Sequence, residues 1–236
     1  MTANKIQRKP LNWLLLEGAA IVISILLAFW INAWWQNHND QLRERQYLVQ
    51  LRSDTLENKH RLDEALQLER AQQGVVSAIL ASIRDPAPMA PEAARAWAQV
   101  KPEFMWYSDP RLLDGTFTAL IATGDINLIH DERVKTALIT YHGELEADLD
   151  QFRISVNQFL NHHDDLLRIF EAARAPGIDH DGDELANQFL SIQNDKNAAA
   201  IFRLIEKNIA NRAWYLEQMR LATETLIGQL DMQSDL

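Results

Sequence analysis

The chain has 236 residues, a net charge of −10 and no cysteine. The lack of cysteine excludes disulfide-stapled secreted folds, thiolate metal sites and cysteine nucleophiles. The acidity argues against a nucleic-acid partner, and eight glycines and seven prolines are too few for a turn-rich β-sandwich. We therefore expect a mostly helical protein.

An apolar segment, residues 13–35, follows a short tail, residues 1–12, that contains three basic side chains. As a helix, its 23 residues rise about 34 Å, enough to cross a hydrocarbon core of roughly 30 Å. Tryptophans mark its two ends, as they do at lipid–water interfaces: Trp13, Trp30, Trp34 and Trp35. A cleaved signal peptide has a shorter apolar region and a small-residue cleavage site, so we predict an uncleaved transmembrane anchor.

The orientation follows from the basic residues on the two sides of this segment. Lys5, Arg8 and Lys9 precede it, whereas only Arg43 and Arg45 lie in the fifteen residues after it. The positive-inside rule then places the N-terminus in the cytoplasm and residues 36–236 on the other side of the membrane. Residues 1–35 carry +2 and the whole chain −10, so residues 36–236 carry −12, which favours a soluble domain that avoids anionic lipid headgroups.

Beyond the membrane, apolar and small residues recur with a period of about 3.5 residues as far as residue 83. Polar residues interrupt this seam at four positions: Thr55, Asn58, Glu69 and Gln72. No proline occurs between Pro10 and Pro86, so the membrane helix is expected to continue without a break to Arg84. The proline-rich residues 85–91 then end it.

The rest of the chain also predicts helices. A short helix, 91–100, and a loop precede a helix over 111–122 that ends at Gly124, and Asp131 opens a long helix to Ala173. Three long segments are predicted to run side by side: 36–84, 130–173 and 195–233. No other segment reaches 18 apolar residues, so the predicted fold is all-α, with one transmembrane helix followed by an antiparallel helical bundle.

Three motifs between residues 13 and 142 occur in a recognisable order. The first motif consists of Glu17, residues 21–28, Ile31-Asn32 and Trp34. The second consists of Tyr47-Leu48, Leu51, Asp54, Asn58 and Leu62. The third consists of residues 117–129, Leu138 and Tyr141. In this order they are similar to an uncharacterised family of bacterial membrane-anchored proteins, classed as a domain of unknown function. The chain departs from its pattern at Trp35-Gln36 and His142. The resemblance implies a bacterial membrane-anchored helical domain, and it supplies no activity. With the orientation expected from the basic residues, the anchor lies in the inner membrane and the helical domain in the periplasm.

One face of the membrane helix combines small and polar residues. It consists of Glu17, Ala20, Ser24, Ala28 and Asn32, which lie within an arc of about 120°. The three small residues let two backbones approach closely, and the polar ends add hydrogen-bonding groups. We predict self-association through this face, extended above the membrane by Leu48, Leu51 and Leu62. Alternatively, Glu17 reaches the headgroups and the small residues have no partner.

Three segments rich in acidic residues or histidine carry side chains of the types that bind metals. Glu57 and His60 have the Glu-x-x-His spacing of di-iron bundles, but a second such motif is missing. The row 162–165, with His142 and Glu146 nearby, cannot converge on one ion from a single helix. The loop 179–184 lacks the glycine and glutamate of an EF-hand. We therefore expect no metal, no cofactor and no catalytic site in this chain.

These observations leave three functional hypotheses. The first is an interaction or scaffold protein, oligomeric, anchored in the bilayer and binding unknown protein partners. The second is a ligand-sensing domain with a small molecule bound inside the bundle, in a pocket lined by Trp106, Tyr107 and Trp214. The third is a metal-dependent enzyme that uses the histidine and aspartate clusters.

Overall fold

The computed structural model describes residues 11–85, 107–161, 164 and 196–234. Their elements are α1 (Leu11–Arg84), α2 (Gly115–Thr123), a 3-10 turn (Asp125–Leu128), α3 (Glu132–Leu160) and α4 (Lys196–Ser234). No strand occurs in these ranges, so the all-α prediction is confirmed. The predicted helix at 91–100 and most of the predicted extension of α3 to Ala173 lie outside the described residues.

Helix α1 joins the membrane segment to the bundle without a break. It has 74 residues and is therefore about 111 Å long. It is the one described helix long and apolar enough to cross a membrane. Residues 16–38 are exposed on every side, whereas from Leu51 onward one face of the same helix is buried. The prediction of an uninterrupted helix to Arg84 is confirmed.

Helices α1 and α4 each bury one seam with alternating spacings of three and four residues, the pattern of knobs-into-holes packing. In α4 the seam is continuous over nine intervals: Ala198, Phe202, Ile205, Ile209, Arg212, Leu216, Met219, Thr223, Leu226 and Leu230. In α1 it consists of Leu51, Thr55, Asn58, Leu62, Ala65, Glu69, Gln72, Val76 and Ile79. The four polar positions that interrupt the apolar pattern of α1 are thus buried members of the seam.

Helix α4 runs antiparallel to both other long helices, as two contacts with α1 show. Asp231, near its end, pairs with Arg52 at 2.6 Å, whereas Phe202, near its start, packs in one cluster with Ile79. The same cluster contains Phe159 from the end of α3. The antiparallel prediction therefore holds for α4.

Helices α1 and α3 instead run parallel to each other, because the chain between them returns toward the N-terminal half of α1. Asn58 fixes this return. Its amide donates to the carbonyl of Leu113 (2.9 Å) and accepts from the Leu113 N–H (2.6 Å), and Thr116 donates to Asp54.

Helix α2 begins at Gly115 and not at the predicted residue 111. Arg111 has a φ of +42°, a left-handed conformation that does not fit a right-handed α-helix. In addition, Asn58 binds the backbone of Leu113. Gly124 ends α2 as predicted, with a φ of +76° and a bond from its N–H to the carbonyl of Ile121. Asp131 caps α3 as predicted, accepting from the N–H of Arg133 at 2.8 Å.

A fully buried ion pair divides the apolar core in two. Arg212 and Glu69 have no exposed side-chain surface, and Nη2 of Arg212 lies 2.8 Å from Oε2 of Glu69. Ser108 donates to the same carboxylate, Arg212 also donates to Gln72, and its guanidinium lies 5.0 Å from the ring centre of Phe159. One cluster of apolar residues lies on the membrane side of this layer and a second beyond it. A one-turn slip of α4 along α1 would separate these partners, so the layer fixes the register.

A second polar layer lies nearer the membrane. The buried hydroxyl of Tyr141 accepts from Thr223 at 3.3 Å and from Asn58 at 3.5 Å. Burial raises the pKa of Tyr141 above its ordinary value, so the phenol stays neutral at physiological pH. Since these three residues belong to three different helices, this layer fixes the position of α3 as well.

The buried ion pair predicts a non-additive response to substitution. Arg212→Met should lower the free energy of unfolding by about 3–5 kcal/mol, because it leaves the Glu69 carboxylate buried without its partner. The double variant Glu69→Leu with Arg212→Met should recover most of that loss, since neither charge is then buried. Chemical denaturation in detergent, followed by circular dichroism, measures both.

The matched control is Arg70→Met, which removes an exposed arginine that lies 3.4 Å from Glu217. It should change stability little, as surface pairs contribute little. A double variant as unstable as Arg212→Met alone would contradict the account of the buried pair.

Candidate functional site

The face of the membrane helix predicted to self-associate lies in the fully exposed part of α1. All five of its residues are exposed: Glu17, Ala20, Ser24, Ala28 and Asn32. The hydroxyl of Ser24 donates to the carbonyl of Ala20 at 2.8 Å. This bond satisfies the serine within its own helix and leaves the small-residue surface available for close approach.

Just beyond the apolar segment of α1, a carboxylate of the 3-10 turn holds that turn against the helix. Asp125 is 9% exposed, and its Oδ2 accepts from Arg43 at 2.5 Å and from the hydroxyl of Tyr47 at 2.8 Å. The bond from Tyr47, with the bond and charge of Arg43, lowers the pKa of Asp125 below its ordinary value. The pKa of Arg43 is raised in return. Asp125 is therefore ionised in the folded protein at physiological pH.

A second carboxylate, that of Glu44, joins the same two parts of the chain and directly follows Arg43 on α1. Glu44 accepts from the backbone N–H of His130 at 2.7 Å, and its other oxygen lies 2.7 Å from Nδ1 of the same histidine. We call Arg43, Glu44, Tyr47, Asp125 and His130 the juxtamembrane clamp. It lies about 12 Å along α1 from the last tryptophan of the span, and it attaches the chain entering α3 to the helix that leaves the membrane.

Chemically, the clamp is suited to holding segments together. Both carboxylates are occupied by donors of the chain itself, so the arrangement joins elements. Sequence reasoning missed it because Arg43 and Asp125 are 82 residues apart. The sequence did contain one signal, the three motifs of the family resemblance. Tyr47 and Asp125 belong to two different motifs and form a hydrogen bond, and so do Asn58 and Tyr141.

The candidate metal residues are not brought together in the described part of the chain. Glu57 pairs with Arg61 at 2.8 Å, and His60 lies 3.7 Å from Glu64. His142 stacks on Phe117 with the ring centres 4.2 Å apart. In the described ranges, no three histidine, aspartate or glutamate side chains are placed to hold an ion. His162, His163, Asp165 and the loop 179–184 lie outside those ranges.

The ligand-binding hypothesis gains no support from the residues named for it. Tyr107 and Trp214 are 42% and 55% exposed, so they do not line an enclosed pocket, and Trp106 lies outside the described residues. Two larger spaces, of ≈ 790 Å³ beside Thr136 and Thr140 and of ≈ 520 Å³ beside Arg43 and Thr116, are open grooves on the surface. A partly enclosed cavity between the four helices is bordered by Asn58, Phe117 and Tyr141, and its volume is only ≈ 20 Å³. That volume holds a single water molecule.

Beyond its apolar segment, α1 exposes apolar side chains that do not pack in the bundle. Leu42, Val49 and Leu56 are 47%, 66% and 40% exposed and are spaced seven residues apart. The predicted extension of the membrane contact through Leu48, Leu51 and Leu62 is wrong. Leu51 and Leu62 are buried in the chain's own core and Leu48 packs against it, because the bundle of this chain occupies that seam.

No protein-family model, no curated protein and no solved structure matches this chain. The function must therefore be argued from the geometry of the chain itself.

The clamp predicts a pH-dependent loss of stability in one variant. Asp125→Asn should lower the thermal midpoint at pH 7, because the amide lacks the charge that binds Arg43. The folded-state pKa of Asp125 lies below its ordinary value of 3.8. Its stabilising contribution is therefore complete above that value and is lost as the pH falls through the folded-state pKa. The difference between wild type and variant should accordingly shrink in strong acid, as followed by circular dichroism from pH 7 to pH 2.5.

Asp150→Asn is the matched control, since Asp150 is two-thirds exposed and pairs with Arg153 on its own helix. Its midpoint should match that of the wild type across the range. A difference for Asp125→Asn that stays constant down to the lowest pH would show that the charge of Asp125 does not stabilise the clamp.

Proposed function

We propose that this chain is a single-pass interaction protein of the bacterial inner membrane, which presents a helical bundle to protein partners in the periplasm and associates with itself. The observation that carries the proposal is the continuity of α1. The helix that is exposed over residues 16–38 supplies the buried seam of the bundle from Leu51 onward. The bundle is thereby held at a fixed height and orientation relative to the membrane, as a scaffold requires.

The use of polar groups supports binding in preference to catalysis. Glu69 and Arg212 neutralise each other inside the core, and the acids of the juxtamembrane clamp bind donors from the same chain. An active site instead needs acids, bases or nucleophiles that converge on a space for substrate. The polar groups of the described core hold helices together, which is the work of a rigid presenting domain.

The proposed orientation follows from the basic tail and the acidic domain. Lys5, Arg8 and Lys9 favour the cytoplasm for the N-terminus. The net charge of −12 on residues 36–236 disfavours close adhesion of the bundle to anionic lipid headgroups. Partners are therefore expected to meet the bundle in the periplasm.

The topology test uses two reporters fused after Leu236. Alkaline phosphatase, which folds only outside the cytoplasm, should be active there, and β-galactosidase at the same point should be inactive. Both fusions should remain with membranes through a carbonate wash, because a spanning helix is not released by high pH. The reverse pattern of reporter activity would place the bundle in the cytoplasm, and release by carbonate would contradict the anchor.

A further inference from the structure

Helix α1 has two seams on opposite sides. Leu51, Thr55, Asn58 and the following buried residues face the chain's own bundle. At 100° per residue, Leu42, Val49 and Leu56 point about 170° away from that seam, on average. We call these three residues, with Gln46, Ser53 and His60 between and beyond them, the outer stripe. All six are exposed.

The outer stripe has the composition of a coiled-coil contact. None of its six positions carries Asp, Glu, Lys or Arg, although five of the six positions that flank it are charged: Arg43, Arg45, Arg52, Glu57 and Lys59. Uncharged residues with a spacing of three and four, bordered by charges, are typical of an a/d seam with e and g neighbours. A helix face that only meets solvent has no need of leucine or valine at every seventh position.

The stripe also continues a face of the same helix inside the membrane. Because α1 is unbroken, directions can be compared along its whole length. The mean direction of the face from Glu17 to Asn32 lies about 20° from that of the outer stripe. Small residues within the membrane and apolar residues above it therefore share one side of a single rod.

We propose that the outer stripe is the contact surface for a second copy of this chain, packed parallel and in register along α1. This inference rests on the self-association that forms part of the proposed function. Copies inserted in one membrane share their orientation and depth, so Leu42, Val49 and Leu56 meet the same residues of the other copy at the same height. The resulting contact is symmetric and closed, as in most homodimers.

Charge at the edge of the stripe suits this arrangement. In a parallel in-register coiled coil, a g residue lies beside the e residue that follows it by five positions in the other helix. Here the position of Arg52 lies beside that of Glu57 in the second copy, and Arg45 lies beside the neutral Gln50. Arg52 and Glu57 already pair with Asp231 and Arg61 of their own chain, so these edges bring no like charges together across the contact. The packed bundle lies on the far side of α1, so two copies approach along the stripe without a clash between their own helices α3 and α4.

The test is disulfide cross-linking in native membranes, using a chain that has no cysteine of its own. Val49→Cys and Leu56→Cys should each give a dimer on oxidation, because equivalent positions in the seam of a parallel pair come within disulfide reach. Leu221→Cys is the matched control. Leu221 and Leu56 are similarly exposed, 44% and 40%, but Leu221 lies on α4, away from the stripe, and should give no dimer.

A repulsive substitution supplies the second readout. Val49→Glu places two like charges opposite each other and should lower the dimer yield of Leu56→Cys by at least about tenfold. Leu221→Glu should leave that yield unchanged. Since both side chains are exposed, neither change should alter the helicity of the folded chain, which distinguishes loss of contact from loss of fold.

Ser24→Cys separates this proposal from the self-association on which it rests. Cross-linking at position 24 without cross-linking at 49 or 56 would overturn the outer stripe and leave association within the membrane intact. Absence of dimer at all three positions would overturn both. The mass of the product cross-linked at position 49 or 56 should equal that of two copies of the chain. Any other mass would show that the stripe contacts a different protein and would overturn the present proposal.

Discussion

The packing of one side of α1 against α4 is the interaction on which the rest of the structure depends. A single helix that extends into water without packing against other helices has no contact that fixes its orientation. Its intrinsic helix propensity alone stabilises it little. In this chain the same helix buries a seam from Leu51 to Ile79. The bundle therefore stabilises the extension of the apolar helical segment, and that segment and the bundle share one continuous helix.

Polar residues in that seam determine which arrangement of helices forms. An all-apolar seam would tolerate slippage by one turn, whereas Glu69 has one matching arginine on α4, and Asn58 has one matching peptide group, that of Leu113. Burying these polar groups costs desolvation free energy, and their hydrogen bonds and charge pairing offset that cost only in the native register. The juxtamembrane clamp acts in the same way at the lower end of the bundle, where Asp125 and Glu44 hold the start of α3 against α1.

Local pattern was sufficient to predict much of this architecture. The period of 3.5 residues and the absence of proline predicted α1 to Arg84, and the backbone preferences of Gly124 and the capping oxygen of Asp131 predicted the end of α2 and the start of α3. What could not be predicted depends on contacts far apart in sequence. Glu69 read as an interruption because its partner lies 143 residues away, and the start of α2 moved because the side chain of Asn58 holds Leu113. The clamp and the parallel course of α3 follow from the same kind of contact.

The central claim is that α1 is a single rigid rod from the membrane into the bundle. The most direct measurement is the distance between spin labels at Leu26, within the span, and Glu64, on the exposed side of the bundle seam, by double electron–electron resonance in lipid nanodiscs. Dilution with unlabelled chain removes distances between copies. An unbroken helix predicts a narrow distribution near about 57 Å. A shorter, broad distribution would show a hinge at the membrane surface and contradict the account.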